Sequence, residues 1–287
     1  MALKKDKVIE NFSQERISEE NKILYDTNHR RYDLLHWYFR DHFQQRMWKN
    51  DLKFIRRKLS FEEGKRPLVL DVGAGTGNLT LKLLQLDCDV VAIDISSEML
   101  KVLESKIEEE NPKWMDRVEF IHSDFFNFIK NNQRKFDAVV ECSVLHHFVK
   151  YEKYLDYLDG LLKPEAYVYI AREPLSKREL PSKNKKLASL TNAFLLWLQE
   201  RLIKKYREKR GKAPDEKLAT YHMHKSGIDL NMILDSTTKS EYGILNKYIF
   251  NQRFHTMISY LDNVLLKSVR IYRFNFTFFN AILKKMK

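Results

Sequence analysis

The chain has 287 residues, 44% hydrophobic and 13% aromatic, which suffices to bury the core of one enlarged domain or of a domain with appendages. Its two cysteines, Cys88 and Cys142, lack metal-type spacing, no run of 18 apolar residues could span a membrane, and the charged stretch Met1 to Gln14 is unlike a signal peptide. These features exclude a disulfide scaffold and an integral membrane protein, and a reducing, cytoplasmic setting is expected.

In chain order, the first third reads helical. Between Arg31 and Leu59, apolar residues recur at Leu35, Phe39, Phe43 and Met47, then at Trp48, Leu52, Ile55 and Leu59, on a stripe that should face other structure. From Leu68 short apolar runs alternate with amphipathic ones. Strands are expected at Leu68–Val72, Val90–Ile93, Val118–Ile121, Ala138–Glu141 and Tyr167–Ala171, with helices over Asn78–Leu86, Glu98–Glu109 and Tyr151–Leu162. Such alternation predicts βαβ units, an α/β fold with a mostly parallel sheet covered on both faces.

After Pro174 the composition turns basic. The net charge is +12, and Leu175 to Lys212 alone holds 12 Lys/Arg against Glu179, Glu200 and Glu208. A basic surface attracts phosphates, nucleic acid or anionic lipid, and it can equally be a solvated helix face. Within this stretch Leu187–Tyr206 reads as an amphipathic helix, ended by Gly211 and Pro214. Ile244–Phe250 and Ile271–Phe279 read as strands joined by a helical piece around Met257–Leu266. The expected organisation is a helical cap over 1–66, a Rossmann-like core over 67–174, a basic helical lid over 175–240 and sheet-completing strands over 241–287.

The sharpest signal is the run Val69-Leu70-Asp71-Val72-Gly73-Ala74-Gly75-Thr76-Gly77-Asn78. An apolar strand leads directly into three glycines at alternate positions, where the backbone can bend sharply and a ligand can approach closely. The spacing differs from the G-x-G-x-x-G dinucleotide fingerprint, and Asp71 would repel a phosphate. Asp94 follows the second strand, where a carboxylate can accept from both hydroxyls of a ribose. Asp124 and Phe125 follow the third, an acid and an aromatic suited to an adenine. Glu141-Cys142-Ser143-Val144-Leu145-His146-His147 follows the fourth. A single acid at a strand end can be a simple cap, but ligands on open α/β sheets bind beyond these ends, and all four features lie there.

Pro67 to Pro174 resembles the core of the class I S-adenosylmethionine-dependent methyltransferases, and is similar to small-molecule enzymes of the ubiquinone/menaquinone methyltransferase type. The resemblance rests on Leu70 to Gly77, on Asp94 with Ser97-Glu98-Met99-Leu100, on Ser143 to Phe148, on Leu162-Lys163-Pro164 and on Arg172-Glu173-Pro174. It implies a Rossmann-like methyltransferase fold with a seven-stranded sheet and S-adenosyl-L-methionine as cofactor. Carried over, it implies that Gly73, Gly75 and Gly77 meet the cofactor's amino-acid part, with Asp71 near its ammonium group. Asp94 would hold the ribose, Met99 would lie beside the adenine, and Asp124 and Phe125 would take its amino group and ring; Glu141 joins the cofactor-binding set. One departure stands out: the family's two glycines after the Lys-Pro turn are replaced by Glu165-Ala166, so an altered turn is expected there.

Methyl transfer to a hydroxyl is helped by a base near neutral pKa, and His146 and His147 lie where an acceptor would face the methyl group. They could instead pack on the cofactor and cap the next helix. Glu173, His222 and His224 are further candidates, and no metal site is expected because no Cys or carboxylate cluster accompanies the histidines. The absence of an Asn/Asp-Pro-Pro-aromatic run after the fourth strand argues against methylation of nucleobase amino groups. Three readings follow: an enzyme methylating oxygen on a small molecule, glycan or lipid-linked metabolite; an RNA methyltransferase using 175–212; or a non-catalytic cofactor-binding scaffold. Peripheral contact of 187–210 with an anionic membrane is a further expectation.

Overall fold

The computed structural model of the chain describes residues 13–29, 32–35, 39, 41–59, 64–176, 227–251 and 277–286. Seven strands form one sheet in the order β3-β2-β1-β4-β5-β7-β6. They are β1 (Leu68–Val72), β2 (Asp89–Asp94), β3 (Val118–His122), β4 (Phe136–Cys142), β5 (Leu162–Pro174), β6 (Tyr242–Asn251) and β7 (Thr277–Lys285). The first five run parallel, and β7 inserts antiparallel between β5 and β6. The expected mostly parallel, seven-stranded α/β fold is the one observed.

Covering both faces explains why these strands read as continuous apolar runs rather than alternating ones. Along β1, Leu70 and Val72 enter one core cluster while Val69 enters the other. Along β4, Val139 faces the first and Ala138 and Val140 the second. The first core is closed by α6 (Phe125–Asn131), α7 (Tyr154–Asp159) and α8 (Leu230–Asp235). The second is closed by α3 (His42–Lys58), α4 (Thr80–Gln85) and α5 (Ser97–Glu110).

The helical stripe of the first third is interrupted. Asp41 adopts an extended conformation and caps α3, accepting from the N–H groups of Phe43 and Gln44 at 3.1 and 3.4 Å, which sets this helix apart from the short α2 (Tyr32–Leu35). Trp48, Leu52, Ile55 and Leu59 are buried as the periodicity predicts, whereas Phe43, in the first turn, is exposed. α7 also ends before the expected Leu162, because Leu162 already pairs with Phe136 as β5 begins. The strand expected over Ile271–Phe279 overlaps β7 at Thr277–Phe279; β7 runs on to Lys285, and positions 271–276 lie outside the described residues. The expected helices at 187–206 and 257–266, the basic segment beyond Ser176 and the histidines 222 and 224 lie outside the described residues. Among the described residues no helix is long and apolar enough to cross a membrane.

The altered turn expected at Glu165 coincides with an irregularity in β5. Leu162 pairs with Phe136 and Tyr167 with Ala138, so residues 163–166 bulge out, and Glu165 sits at φ +60°. A non-glycine residue there is strained by about 1–2 kcal/mol. Its ion pair with Lys284, 3.4 Å long and exposed on the Glu165 side, returns little. Glu165→Gly is therefore expected to raise stability by about 0.5–1 kcal/mol, since glycine's larger unfolded-state entropy offsets part of the relief. A thermal melt rising by roughly 1–4 °C checks this, and a lower midpoint would show that the bulge is held by the side chain.

Candidate cofactor and acceptor site

The C-terminal ends of the parallel strands surround an open cavity lined by glycines, acids and aromatic side chains. Sheet order reverses beside β1, which pairs with β2 on one side and β4 on the other, and the cavity opens at that switch point. Gly73, Gly75, Asp94, Met99, Asp124, Phe125 and His147 line it. Asp71, Gly77, Glu141 and His146 do not line it.

The glycines differ in what they do. At Gly75 (φ +54°) an added Cβ would meet nothing closer than a backbone oxygen at 3.9 Å, so the residue leaves open space on the cavity side. At Gly77 (φ +92°) it would collide with Leu103 Cδ1 at 2.2 Å, so this glycine lets the loop pack on α5.

The acids also divide. Asp94 accepts from Gly75 N–H on one oxygen and Ser96 N–H on the other, both at 2.8 Å, which ties the glycine loop to the tip of β2 and leaves lone pairs toward the cavity. Burial, with Asp26 nearby, pushes its carboxyl up to about 6 against those two hydrogen bonds. Asp71 lies beneath, taking a 2.6 Å hydrogen bond from Thr80 Oγ1, and burial lifts it to about 7. Asp124 caps α6, accepting from Phe126 N–H at 2.9 Å, and Phe125 stacks on Phe148 with centroids 5.2 Å apart.

Beyond β4, one buried carboxylate organises the next loop. Glu173 accepts the N–H groups of Val144 (2.6 Å), Leu145 (2.9 Å) and His146 (3.3 Å), and His146 Nδ1 lies 2.9 Å from it. Burial and the adjacent Glu173 push Glu141 well above the usual carboxylate range. His146 is thereby turned inward, while His147, the next residue of the same 3-10 turn, reaches the cavity. Among the described residues no group of three or more His, Cys, Asp or Glu is placed to hold a metal.

Residues 70–168 match the family described as Methyltransferase domain. That stretch of the chain is similar to a methyltransferase domain. The chain is 30% identical over 131 residues to a mitochondrial ubiquinone biosynthesis O-methyltransferase of Bos taurus, covering 42% of this chain and 35% of that protein. It is 35% identical over 102 residues to a demethylmenaquinone methyltransferase of Clavibacter sepedonicus, covering 36% and 39% respectively. The matches thus span well under two thirds of these relatives. Among solved structures, the plantazolicin methyltransferase BpumL shares the fold, with a TM-score of 0.53 at 16% identity over 99% of this chain and 97% of that one.

The cavity has features that S-adenosyl-L-methionine, the cofactor implied by the sequence resemblance, would use. Gly75 leaves room against the backbone, Asp94 offers a carboxylate at the tip of β2, and aromatic and thioether side chains line the β2 and β3 end. Buried Asn21 Oδ1, on the cavity wall, has no hydrogen-bond partner among the described residues and offers an acceptor to a ligand N–H or O–H.

Asn21 belongs to α1 (Gln14–Asn28), which covers the cavity of the methyltransferase domain and contributes Gln14, Asn21 and Tyr25 to its wall. Gln14 donates to the carbonyl of His147 at 3.3 Å and accepts from Val149 N–H at 2.9 Å; Ser96 Oγ donates to Asp26 at 2.6 Å. Sequence reading missed these residues. Their only local mark is the Ser13 cap, whose side chain accepts from Arg16 N–H, and polar side chains that reach across 122–135 positions leave no periodicity to find.

Proposed function

We propose that the protein transfers the methyl group of S-adenosyl-L-methionine to a hydroxyl of a small molecule, the class extending to glycans and lipid-linked metabolites. The observation that supports this reading is His147, an imidazole on the wall of the cavity that Gly73 and Ser143 also line. The name of the bovine relative, a ubiquinone biosynthesis O-methyltransferase, favours a hydroxyl acceptor. The cofactor supplies an electrophilic methyl on a good leaving group, so the protein's part is to orient the acceptor, exclude water and take up a proton.

In this reading Gly73 and Gly75 admit the cofactor to the backbone, Asp94 accepts from its ribose, Asp124 and Phe125 meet its adenine beside Met99, and His147 works at the acceptor. Asp71 and Gly77 act from beneath, as a buried acid and a packing contact. Glu173 and His146 position the loop that carries His147. Incubation with methyl-labelled cofactor and fractionated cell extract tests the proposal. Label in the small-molecule or lipid fraction supports it, and label confined to RNA or protein overturns it.

Asp94→Ala is expected to weaken cofactor binding by about 1.5–3 kcal/mol, because hydrogen bonds to a charged acceptor are lost. The same role predicts a pH dependence. The ionised carboxylate is the better acceptor and its pKa is about 6, so affinity is constant above about pH 7 and falls by up to tenfold per unit below 6. Calorimetry with S-adenosylhomocysteine in the Asp71→Asn background, which removes the acid titrating near 7, isolates the effect. Unchanged affinity at pH 5 would remove Asp94 from the ribose role.

A further inference from the structure

We propose that Tyr25 is a catalytic residue of this site, taking the proton of the acceptor hydroxyl while passing its own to His147. The inference rests on the hydroxyl-acceptor reading above. Tyr25 Oη lies 3.0 Å from His147 Nε2, the rings meet edge-on with centroids 6.1 Å apart, and both residues line the cofactor cavity. The Nε2 position is thus engaged by a phenol. An acceptor hydroxyl reaching for that nitrogen would have to displace Tyr25, whereas one reaching for Tyr25 finds the imidazole already aligned behind it.

The direction of the hydrogen bond follows from the surroundings. Burial raises the Tyr25 phenol well above its ordinary value, and Tyr32, Asp94 and Glu173 push the same way. The phenol therefore keeps its proton and donates to Nε2, and His147 carries its own proton on Nδ1. Tyr25 is too weak an acid to act first as a phenolate, so the two transfers run together. As the acceptor oxygen bonds the methyl carbon, the carbon–sulfur bond breaks and sulfur keeps its electron pair. In the same step the acceptor O–H proton moves to Tyr25 Oη, and the Tyr25 proton moves to His147 Nε2. The imidazolium then returns its proton to water. Its positive charge forms 4.1 Å, ring centre to ring centre, from His146, which is held by the buried Glu173 carboxylate. Tyr25 itself is placed by the anchors of α1, Gln14 on the His147 loop and Asp26 on Ser96.

The test uses the full chain, methyl-labelled cofactor and the small-molecule fraction of a cell extract, with oxygen-bound methyl scored by its release as methyl iodide in hydriodic acid. Tyr25→Phe is expected to lower the initial rate of ether-bound label by roughly a hundredfold or more, with S-adenosylhomocysteine affinity within about threefold of wild type. His147→Gln should cost a similar factor. The double variant should fall no more than about threefold below the worse single one, because the pair acts as a unit. A second readout needs no turnover: with S-adenosylhomocysteine bound, the 15N resonance of His147 Nε2 should shift when Tyr25→Phe removes its donor. Multiplicative losses, or ether-bound label formed by Tyr25→Phe at the wild-type rate, overturn the relay alone. An unmoved Nε2 resonance also overturns it. Absence of ether-bound label from the wild-type product overturns the hydroxyl reading on which the relay rests.

Discussion

Gly75→Val is expected to fold and to lose cofactor affinity by about a hundredfold or more, roughly 2.7 kcal/mol. Valine at φ +54° costs about 1–2 kcal/mol in backbone strain, which a domain stabilised by about 5–15 kcal/mol survives. No side chain stands within 4 Å of the new Cβ, so the fold has room for it. The ligand does not, because the branch occupies the space the glycine keeps open. Gly77→Val reverses the pattern. Its Cβ falls 2.2 Å from Leu103 Cδ1 and 3.3 Å from Cγ, and Leu103 is fully buried in the core of α5, so the expected result is loss of folded protein. Circular dichroism melts and calorimetry on both variants separate the cases. Wild-type affinity for S-adenosylhomocysteine in Gly75→Val would sink the assignment of this loop.

Glu173→Ala is expected to destabilise the protein by about 3–5 kcal/mol, comparable to breaking a buried ion pair by deleting one partner. The N–H groups of Leu145 and His146 and His146 Nδ1 lose their acceptor at once in a buried place, and Val144 N–H keeps only Glu141 at 3.1 Å. Glu141→Gln should cost less than about 1 kcal/mol at neutral pH, since the fold already holds that carboxyl well above its ordinary range and a neutral amide resembles its protonated form. Glu141 also gives a pH effect of definite sign. A raised folded pKa contributes stability below the unfolded value of 4.5, and that stability is lost as pH rises through the folded pKa. Glu141→Gln should flatten this decline. Urea titrations between pH 4 and 8 measure both effects, and a loss under 1 kcal/mol in Glu173→Ala would show that the loop is held by other means.

How much of this was legible in the sequence depended on the range of the forces involved. The β1 strand was read to the residue because four of its five positions are apolar, as a run buried on both faces requires, and it ends in glycines. The turn at Glu165 was legible because a side chain replaced a glycine where the backbone still needs φ > 0. By contrast, His146 and His147 could not be told apart, since adjacent residues share every local signal and only Glu173, 27 positions away, turns one of them inward. Asp71 and Glu141 looked like ligand-facing acids at strand ends, yet both side chains are buried off the cavity wall, and burial raises both carboxyls. The contribution of α1 was invisible, because its weak amphipathy gives no hint that Asn21 and Tyr25 belong to a cavity formed by strands far along the chain.

The cover formed by α1 also sets the timing of the proposed enzyme. Its anchors are side-chain hydrogen bonds from Gln14, Tyr25 and Asp26, at loops that also form the cavity wall. A helix attached in this way detaches at a small fraction of the cost of global unfolding. Lifting of this helix would widen the way out for the spent nucleoside, and the same movement withdraws Tyr25 from His147. The form with α1 lifted then holds no assembled base with which to activate water.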